Sequence, residues 1–112
     1  MIIINYNSSE SDGKTIEQLL DMHDIDISRE IINVICEAID KEIDMVCAVE
    51  IRTPTMVYSF TSTTSSYIQT LKKNIEIMIV IEDYELCAKA MKYIKKMEYR
   101  INSRKLLVDS KK

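Results

Sequence analysis

Glycine and proline are almost absent from this chain, which has one of each among its 112 residues. Such a composition leaves little room for flexible linkers or for loops that depend on glycine. No window approaches the roughly 18 uncharged apolar residues of a transmembrane helix, so we expect no contact with a membrane. The N-terminus lacks a basic region before its short apolar run and does not have the pattern of a signal peptide.

Cysteine is also scarce and is odd in number. The three residues, Cys36, Cys47 and Cys87, form no C-x-x-C pair. An odd set without paired spacing is typical of reduced thiols rather than a disulfide framework. We therefore expect a cytoplasmic, intracellular protein.

What is present is typical of one folded domain. The chain is 46% hydrophobic and 29% charged, which excludes a disordered protein, and its length suits a single domain spanning 1–112. Isoleucine outnumbers leucine 19 to 6, and lysine outnumbers arginine 11 to 4. Protein physics gives no reason for such ratios, whereas an A- and T-rich coding sequence does. That bias is found in many viruses, phages and bacteria.

Charge is divided unevenly along the chain. Residues 1–52 carry twelve acidic and four basic side chains, a balance of −8, whereas residues 89–112 carry nine basic and two acidic ones, a balance of +7. The 36 residues between them have a balance of −2, which completes the net charge of −3. This division predicts either polar partners or a molecule whose two ends attract each other.

The first half of the chain alternates strand and helix patterns. Ile2–Tyr6 is a short apolar run that ends in a polar cluster, which predicts a strand. Thr15 and Gln18 have capping-box spacing and predict a short helix that ends near His23. Apolar residues then recur at spacings of three and four. They predict an amphipathic helix that includes Ile31, Ile32, Ile35, Ile39 and Ile43.

The middle of the chain predicts a hairpin followed by a helix and a strand. The β-rich runs Met45–Ile51 and Met56–Phe60 flank Pro54, which suits a tight connection. A short helix is expected from Tyr67. The nearly continuous apolar run Ile75–Ile81 (IEIMIVI) predicts the strongest strand, at the centre of the sheet.

A long helix and a last strand complete the expected fold. Residues 83–97 carry an apolar stripe and a separate lysine stripe, and residues 105–108 predict an edge strand. The order of elements favours an α+β domain with a small mixed β-sheet of about four to five strands, centred on 75–81, and helices mainly on one face. The apolar stripe consists of Cys87, Met91, Ile94 and Met97.

Six consecutive hydroxyl side chains at 61–66 form the most unusual local composition. Ser66 and Gln69 have capping-box spacing, so the run is interpreted as a strand-to-helix joint with Ser66 as the cap. The alternatives are an anion site at the helix N-terminus or a modification site. The absence of glycine from the run disfavours a phosphate loop.

Catalytic patterns are weak. The segment DMHDID at 21–26 could supply metal ligands, but the chain has no second histidine, and a metal-dependent hydrolase is a distant alternative. A cysteine nucleophile with His23 as its base is formally possible. Asp44 with Glu50-Ile51-Arg52 only loosely imitates a nuclease, because arginine replaces the usual lysine. We predict a non-enzyme without a cofactor or a metal.

The basic segment 89–105 is the most distinctive candidate surface. Interleaved basic and aromatic side chains can follow a phosphate backbone and stack on bases. A solvated or protein-facing helix face explains them as well, and the acidic remainder of the chain favours that explanation. The candidate partner-binding residues are Lys89, Lys92, Tyr93, Lys96, Tyr99, Arg100 and Arg104.

These observations predict a small intracellular binding protein that modulates or inhibits a partner protein. The coding bias and the small size suit a viral or phage accessory protein acting on a host factor. A nucleic-acid-binding protein that uses the 89–105 segment is the alternative. A homodimer is expected, because pairing the exposed edges of a small sheet would bury them.

Overall fold

The computed structural model describes residues 1–6, 18 and 24–110. For residue 24 and for residues 104–110 it describes the backbone only. The predicted helix between Thr15 and His23 lies outside this part of the chain, apart from Gln18. A single 3₁₀ turn, Thr64–Ser66, follows the last described strand. The described elements are β1 (Ile2–Asn5), α1 (Asp24–Asp40), β2 (Met45–Arg52), β3 (Val57–Thr63), α2 (Tyr67–Val80) and α3 (Tyr84–Ser110).

The sheet is mixed, as predicted, and β2 is its central strand. The strand order is β1-β2-β3, with β1 parallel and β3 antiparallel to β2. Ile51 is paired with Ile4 on one side and Tyr58 on the other, and the register shifts between Cys47 and Val49. The hairpin and the first strand are confirmed. The described residues form three strands, which is fewer than the four to five expected.

Helix α1 forms the centre of the core. Its isoleucines from Ile27 to Ile39 recur at helical spacing and are buried, because the helix contacts β2 on one side and α2 and α3 on the others. Ile25 is 38% exposed, and the prediction that Ile43 belongs to this helix is wrong, since Ile43 lies beyond its end and is 41% exposed. On β1, buried Ile4 alternates with exposed Ile3 and Asn5, so the helices cover one face of the sheet. Buried residues of the core include Ile4, Ile32, Ile35, Ile39, Val49, Ile51, Leu71 and Met78.

The predicted central strand at 75–81 is wrong, because residues 75–80 are the second half of helix α2. The buried residues of α2 recur at helical spacing: Tyr67, Leu71, Asn74, Ile75 and Met78. The apolar residues between them are not all core residues, since Val80 is 81% exposed. Tertiary packing of one helical face has overridden the β propensity of a run rich in isoleucine.

The predicted edge strand at 105–108 is also wrong. Helix α3 continues without interruption from Tyr84 to Ser110. Its start near Asp83 agrees with the prediction, and Asp83 accepts a hydrogen bond from the N–H of Leu86 (3.3 Å). A strand of four residues would have needed a sheet edge beside it, whereas the helix only continues bonds within its own backbone.

Two helix ends use glutamate where glycine is usual. Glu42 follows α1 with φ 55°, and Glu82 follows α2 with φ 62°. In both turns the next residue donates its N–H to a carbonyl five residues earlier, at 2.9 Å. This is the Schellman motif, whose left-handed position favours glycine. A chain with a single glycine closes both helices at some cost in backbone strain.

Candidate partner-binding surfaces

The basic face of α3 lies against the C-terminal half of α1. Lys89 Nζ donates to Asn33 Oδ1 (2.9 Å), and Lys96 Nζ donates to Asp40 Oδ1 (2.7 Å). The Tyr93 hydroxyl donates to the other oxygen of Asp40. Basic side chains of the C-terminal segment therefore meet acidic and polar side chains of the N-terminal half, as the charge division predicts.

Asp40 is the focus of these contacts. The hydrogen bond from Lys96, followed by that from Tyr93, holds the pKa of Asp40 below its usual value. The same bond to Asp40 raises the pKa of the Tyr93 phenol. The Lys96 ammonium also lies 5.6 Å from the centre of the Tyr93 ring, within range of a cation–π contact. These three side chains link two helices rather than face a ligand.

Arg100 extends the same interface past the end of α1. Its Nη1 donates to the carbonyl of Ile39 (2.9 Å), one of the last carbonyl groups of that helix. Its Nη2 lies 3.8 Å from Glu42, a weak and mostly exposed ion pair. Four of the seven candidate residues, Lys89, Tyr93, Lys96 and Arg100, thus have partners within the chain.

The other candidate residues differ in position. Tyr99 is 74% exposed, and the Lys92 ammonium lies 6.0 Å from the Tyr93 ring with no ion-pair partner among the described residues. The backbone of Arg104 lies in α3. Met91 was expected in the buried stripe but is 45% exposed, and Ala90 takes the buried position instead. The exposed basic surface of α3 is therefore smaller than the sequence predicts.

The hydroxyl run is a joint between β3 and α2. Ser66 stands at the N-cap position of α2, but its hydroxyl makes no capping bond to that helix. It accepts from the N–H of Thr63 (3.1 Å) and pairs with the hydroxyl of Ser62 (2.8 Å). The predicted cap is right in position and wrong in partner, because the 3₁₀ turn directs the side chain backwards.

A cleft of about 330 Å³ opens beside this joint. Its apolar lining comes from the end of α1 and from α3, and its rim carries charged and hydroxyl groups. The hydroxyl of Tyr67 donates to the carbonyl of Ile43 (2.7 Å), and that of Thr64 donates to the carbonyl of Asp44 (3.2 Å). These two bonds hold the segment after α1 against the joint on two sides of the cleft. The lining residues are Ala38, Ile39, Glu42, Ile43, Asp44, Thr64, Ser65, Tyr67, Met97, Arg100 and Ile101.

The outer edge of β3 has no neighbouring strand within the described ranges. At one end of the strand Thr53 N–H donates to the carbonyl of Met56 (2.8 Å), and at the other Thr64 N–H donates to the carbonyl of Asp44 (2.9 Å). Backbone groups alternate in direction along a strand, so even-numbered residues bond to β2. The N–H and C=O groups left open at this edge belong to Val57, Ser59 and Thr61, because Ser66 Oγ bonds to both the N–H (3.1 Å) and the C=O (2.9 Å) of Thr63.

This edge also lacks charge. Residues 53–71 contain no Asp, Glu, Lys or Arg, although such residues make up 29% of the chain. Natural edge strands are usually blunted by charged residues, proline, bulges or short length, and the seven residues of β3 contain no charge and no proline. The sequence signal of this open edge is the absence of charge from the segment rather than its hydroxyl groups.

The catalytic alternatives gain no geometric support. Within the part of the chain that the structure describes, no group of three or more metal-binding side chains is found. Asp21 and His23 lie outside it. Burial raises the pKa of the Cys36 thiol to about 11, so that thiol is a poor nucleophile. Glu50 forms an ion pair with Arg52 (3.0 Å) in β2, whereas Asp44 Oδ1 accepts a hydrogen bond from the hydroxyl of Thr64 (3.4 Å).

Comparison with known proteins identifies no relative. No family model matches the sequence, and neither a curated protein nor a solved structure shows significant similarity to it. In the described part of the chain, none of the helices combines the length and the apolarity needed to cross a membrane.

Proposed function

We propose that this chain is a small non-catalytic protein that modulates a partner protein by binding an extended segment of it along the free edge of β3. The observation that carries the proposal is the outward row of N–H and C=O groups on an uncharged strand. Strand addition of this kind draws affinity from backbone hydrogen bonds and specificity from alternate side chains. The setting that the composition favours is a viral or phage accessory protein acting on a host factor.

The side chains of β3 suit such a partner. Val57 is exposed on the open face of the sheet, and Phe60 is 40% exposed on the opposite side. Ser59 and Thr61 lie on either side of Phe60 and present small hydroxyls. An extended segment with apolar residues at alternate positions and few charges would match this edge.

The test compares two lysine variants in affinity capture from cells of the natural source. Thr61→Lys adds a charge at the open edge, whereas Gln69→Lys adds the same charge at an exposed position of α2. We expect the wild type and Gln69→Lys to recover one stoichiometric protein, and Thr61→Lys to lose it. Equal recovery by both variants, or recovery of no protein by any of them, would contradict the proposal.

Nucleic acid is the alternative ligand, and the exposed part of α3 is the surface that would bind it. Since Lys89 and Lys96 already contact α1, we expect only weak binding, with dissociation constants of about 10⁻⁴ to 10⁻⁶ M at physiological salt. Lys92→Glu with Lys95→Glu should change it little. A nanomolar, salt-sensitive complex with a short oligonucleotide that this double variant abolishes would favour the alternative.

A further inference from the structure

We infer that two copies of this chain pair through β3, antiparallel and in register about Phe60, and that a partner segment must compete with this self-association. The inference rests on the proposed function in one respect, because both assign the same edge. It adds the identity of one occupant, a second copy of the chain. The result is a twofold-symmetric assembly in which each copy offers the same surface to the other.

The register follows from the directions of the backbone groups. Phe60 is the middle residue of Val57–Thr63, so a twofold axis beside it places each outward-facing residue opposite another one. Ser59 then lies opposite Thr61 of the second copy, and Val57 lies opposite Thr63. The two Ser59–Thr61 pairs each exchange two hydrogen bonds, giving about four across the axis, whereas the backbone groups of Thr63 are already bonded to Ser66 Oγ. A shift of one residue would set outward groups against inward ones and lose these bonds.

The side chains are compatible with this register. Phe60 meets its counterpart in a pair that is not hydrogen-bonded, where Cα atoms approach to about 4.5 Å and side chains make close contact. Its partial exposure in a single chain leaves apolar ring surface for that contact. Because residues 53–71 are uncharged, the edges of two identical copies meet without like-charge repulsion.

The opposite edge of the sheet is less suitable. Strand β1 has four residues, and beside it the N-terminal ammonium of Met1 forms an ion pair with Glu30 (3.2 Å). A short strand with charges at its end resembles the edges that natural proteins protect. Self-pairing through β3 therefore yields one six-stranded sheet, β1-β2-β3-β3-β2-β1, and ends there rather than growing into a fibre.

Site-specific cross-linking tests the register. In a Cys47→Ser background, Phe60→Cys places two thiols across the axis at a separation that a disulfide can bridge. Tyr58→Cys serves as the matched control, because Tyr58 lies opposite Ser62 of the second copy and far from its own counterpart. We expect mild oxidation to give a covalent dimer with Phe60→Cys and little with Tyr58→Cys. Equal cross-linking at both positions, or none at either, would overturn the register.

Sedimentation of the unmodified protein tests the assembly itself. We expect a mass of twice 13.0 kDa at micromolar concentration, and at least a tenfold weaker association for Thr61→Lys but not for Gln69→Lys. A wild-type mass of one chain at all concentrations would overturn the inference. If that monomer still captured a partner that Thr61→Lys loses, the proposed function would stand. If the dimer formed and no variant captured a partner, the proposed function would fail alone.

Discussion

Removing the hydroxyl of Ser28 should destabilise the protein far more than removing a surface hydroxyl. Ser28 is 1% exposed and donates to Asn74 Oδ1 at 2.8 Å, which links α1 to α2. Asn74 is 7% exposed, and its amide nitrogen donates to the carbonyl of Thr70 (2.8 Å). In Ser28→Ala the Asn74 oxygen would remain buried without its donor, which costs about 1–3 kcal/mol.

A double variant separates the hydrogen bond from the change in packing. In Asn74→Leu with Ser28→Ala both polar groups are gone and the site is filled by an apolar side chain of similar size. The loss should then be smaller than the sum of the two single losses by about 0.5–3 kcal/mol. This difference would assign the cost to an unsatisfied polar group rather than to a cavity.

Urea denaturation at one fixed protein concentration measures these changes, since self-association makes apparent stability depend on concentration. Thr55→Ala removes a hydroxyl from the exposed turn of the hairpin and should stay within about 0.5 kcal/mol of the wild type. If Ser28→Ala were as neutral as Thr55→Ala, or if the double variant were additive, the reasoning about the buried pair would be refuted.

Three further predictions concern strain, thiols and pH. Glu82→Gly should raise the free energy of unfolding by about 1 kcal/mol, because glycine suits the positive φ at this position. Glu76→Gly within α2 should lower it by a similar amount. Urea denaturation measures both changes. With a pKa of about 11, Cys36 has about one thiol in a thousand ionised at pH 8. A disulfide reagent should therefore modify the partly exposed Cys47 first and Cys36 only on unfolding. Rapid modification of all three cysteines would contradict this expectation. The pKa of Asp40 is lowered in the folded chain, so the stabilisation from its carboxylate is present above the unfolded pKa near 4 and is lost as pH falls through the folded pKa. Asp40→Asn should therefore reduce the fall of the denaturation midpoint in acid. An unchanged pH profile in this variant would contradict the assignment.

The sequence predicts those parts of the fold in which local pattern and tertiary environment agree. Helix α1 is recognisable because most of its isoleucines recur at helical spacing and are buried in the core. The hairpin is recognisable because β-rich runs flank Pro54. Helix α2 is not, because isoleucine and valine also occupy exposed positions such as Ile79 and Val80, and this masks the helical period. The coding bias toward isoleucine thus weakens hydrophobic pattern as a guide.

Candidate surfaces were harder to predict because they depend on which side chains the fold brings together. The basic stripe was visible, but its use against Asp40 and the end of α1 required the packing of two helices more than fifty residues apart in sequence. The cleft beside Tyr67 combines three separate chain segments, so no local motif indicates it. The open edge of β3 could have been inferred from the nineteen uncharged residues at 53–71.

Amide hydrogen exchange along β3 tests the central claim, that this edge is the interaction surface, most directly. The N–H groups of Tyr58 and Phe60 bond to β2 and should be protected at every protein concentration. Those of Ser59 and Thr61 face the open edge and should exchange fast in dilute protein, then become protected as the chain self-associates or binds a partner. If Ser59 and Thr61 exchanged fast in concentrated protein and in every complex, the account would be contradicted.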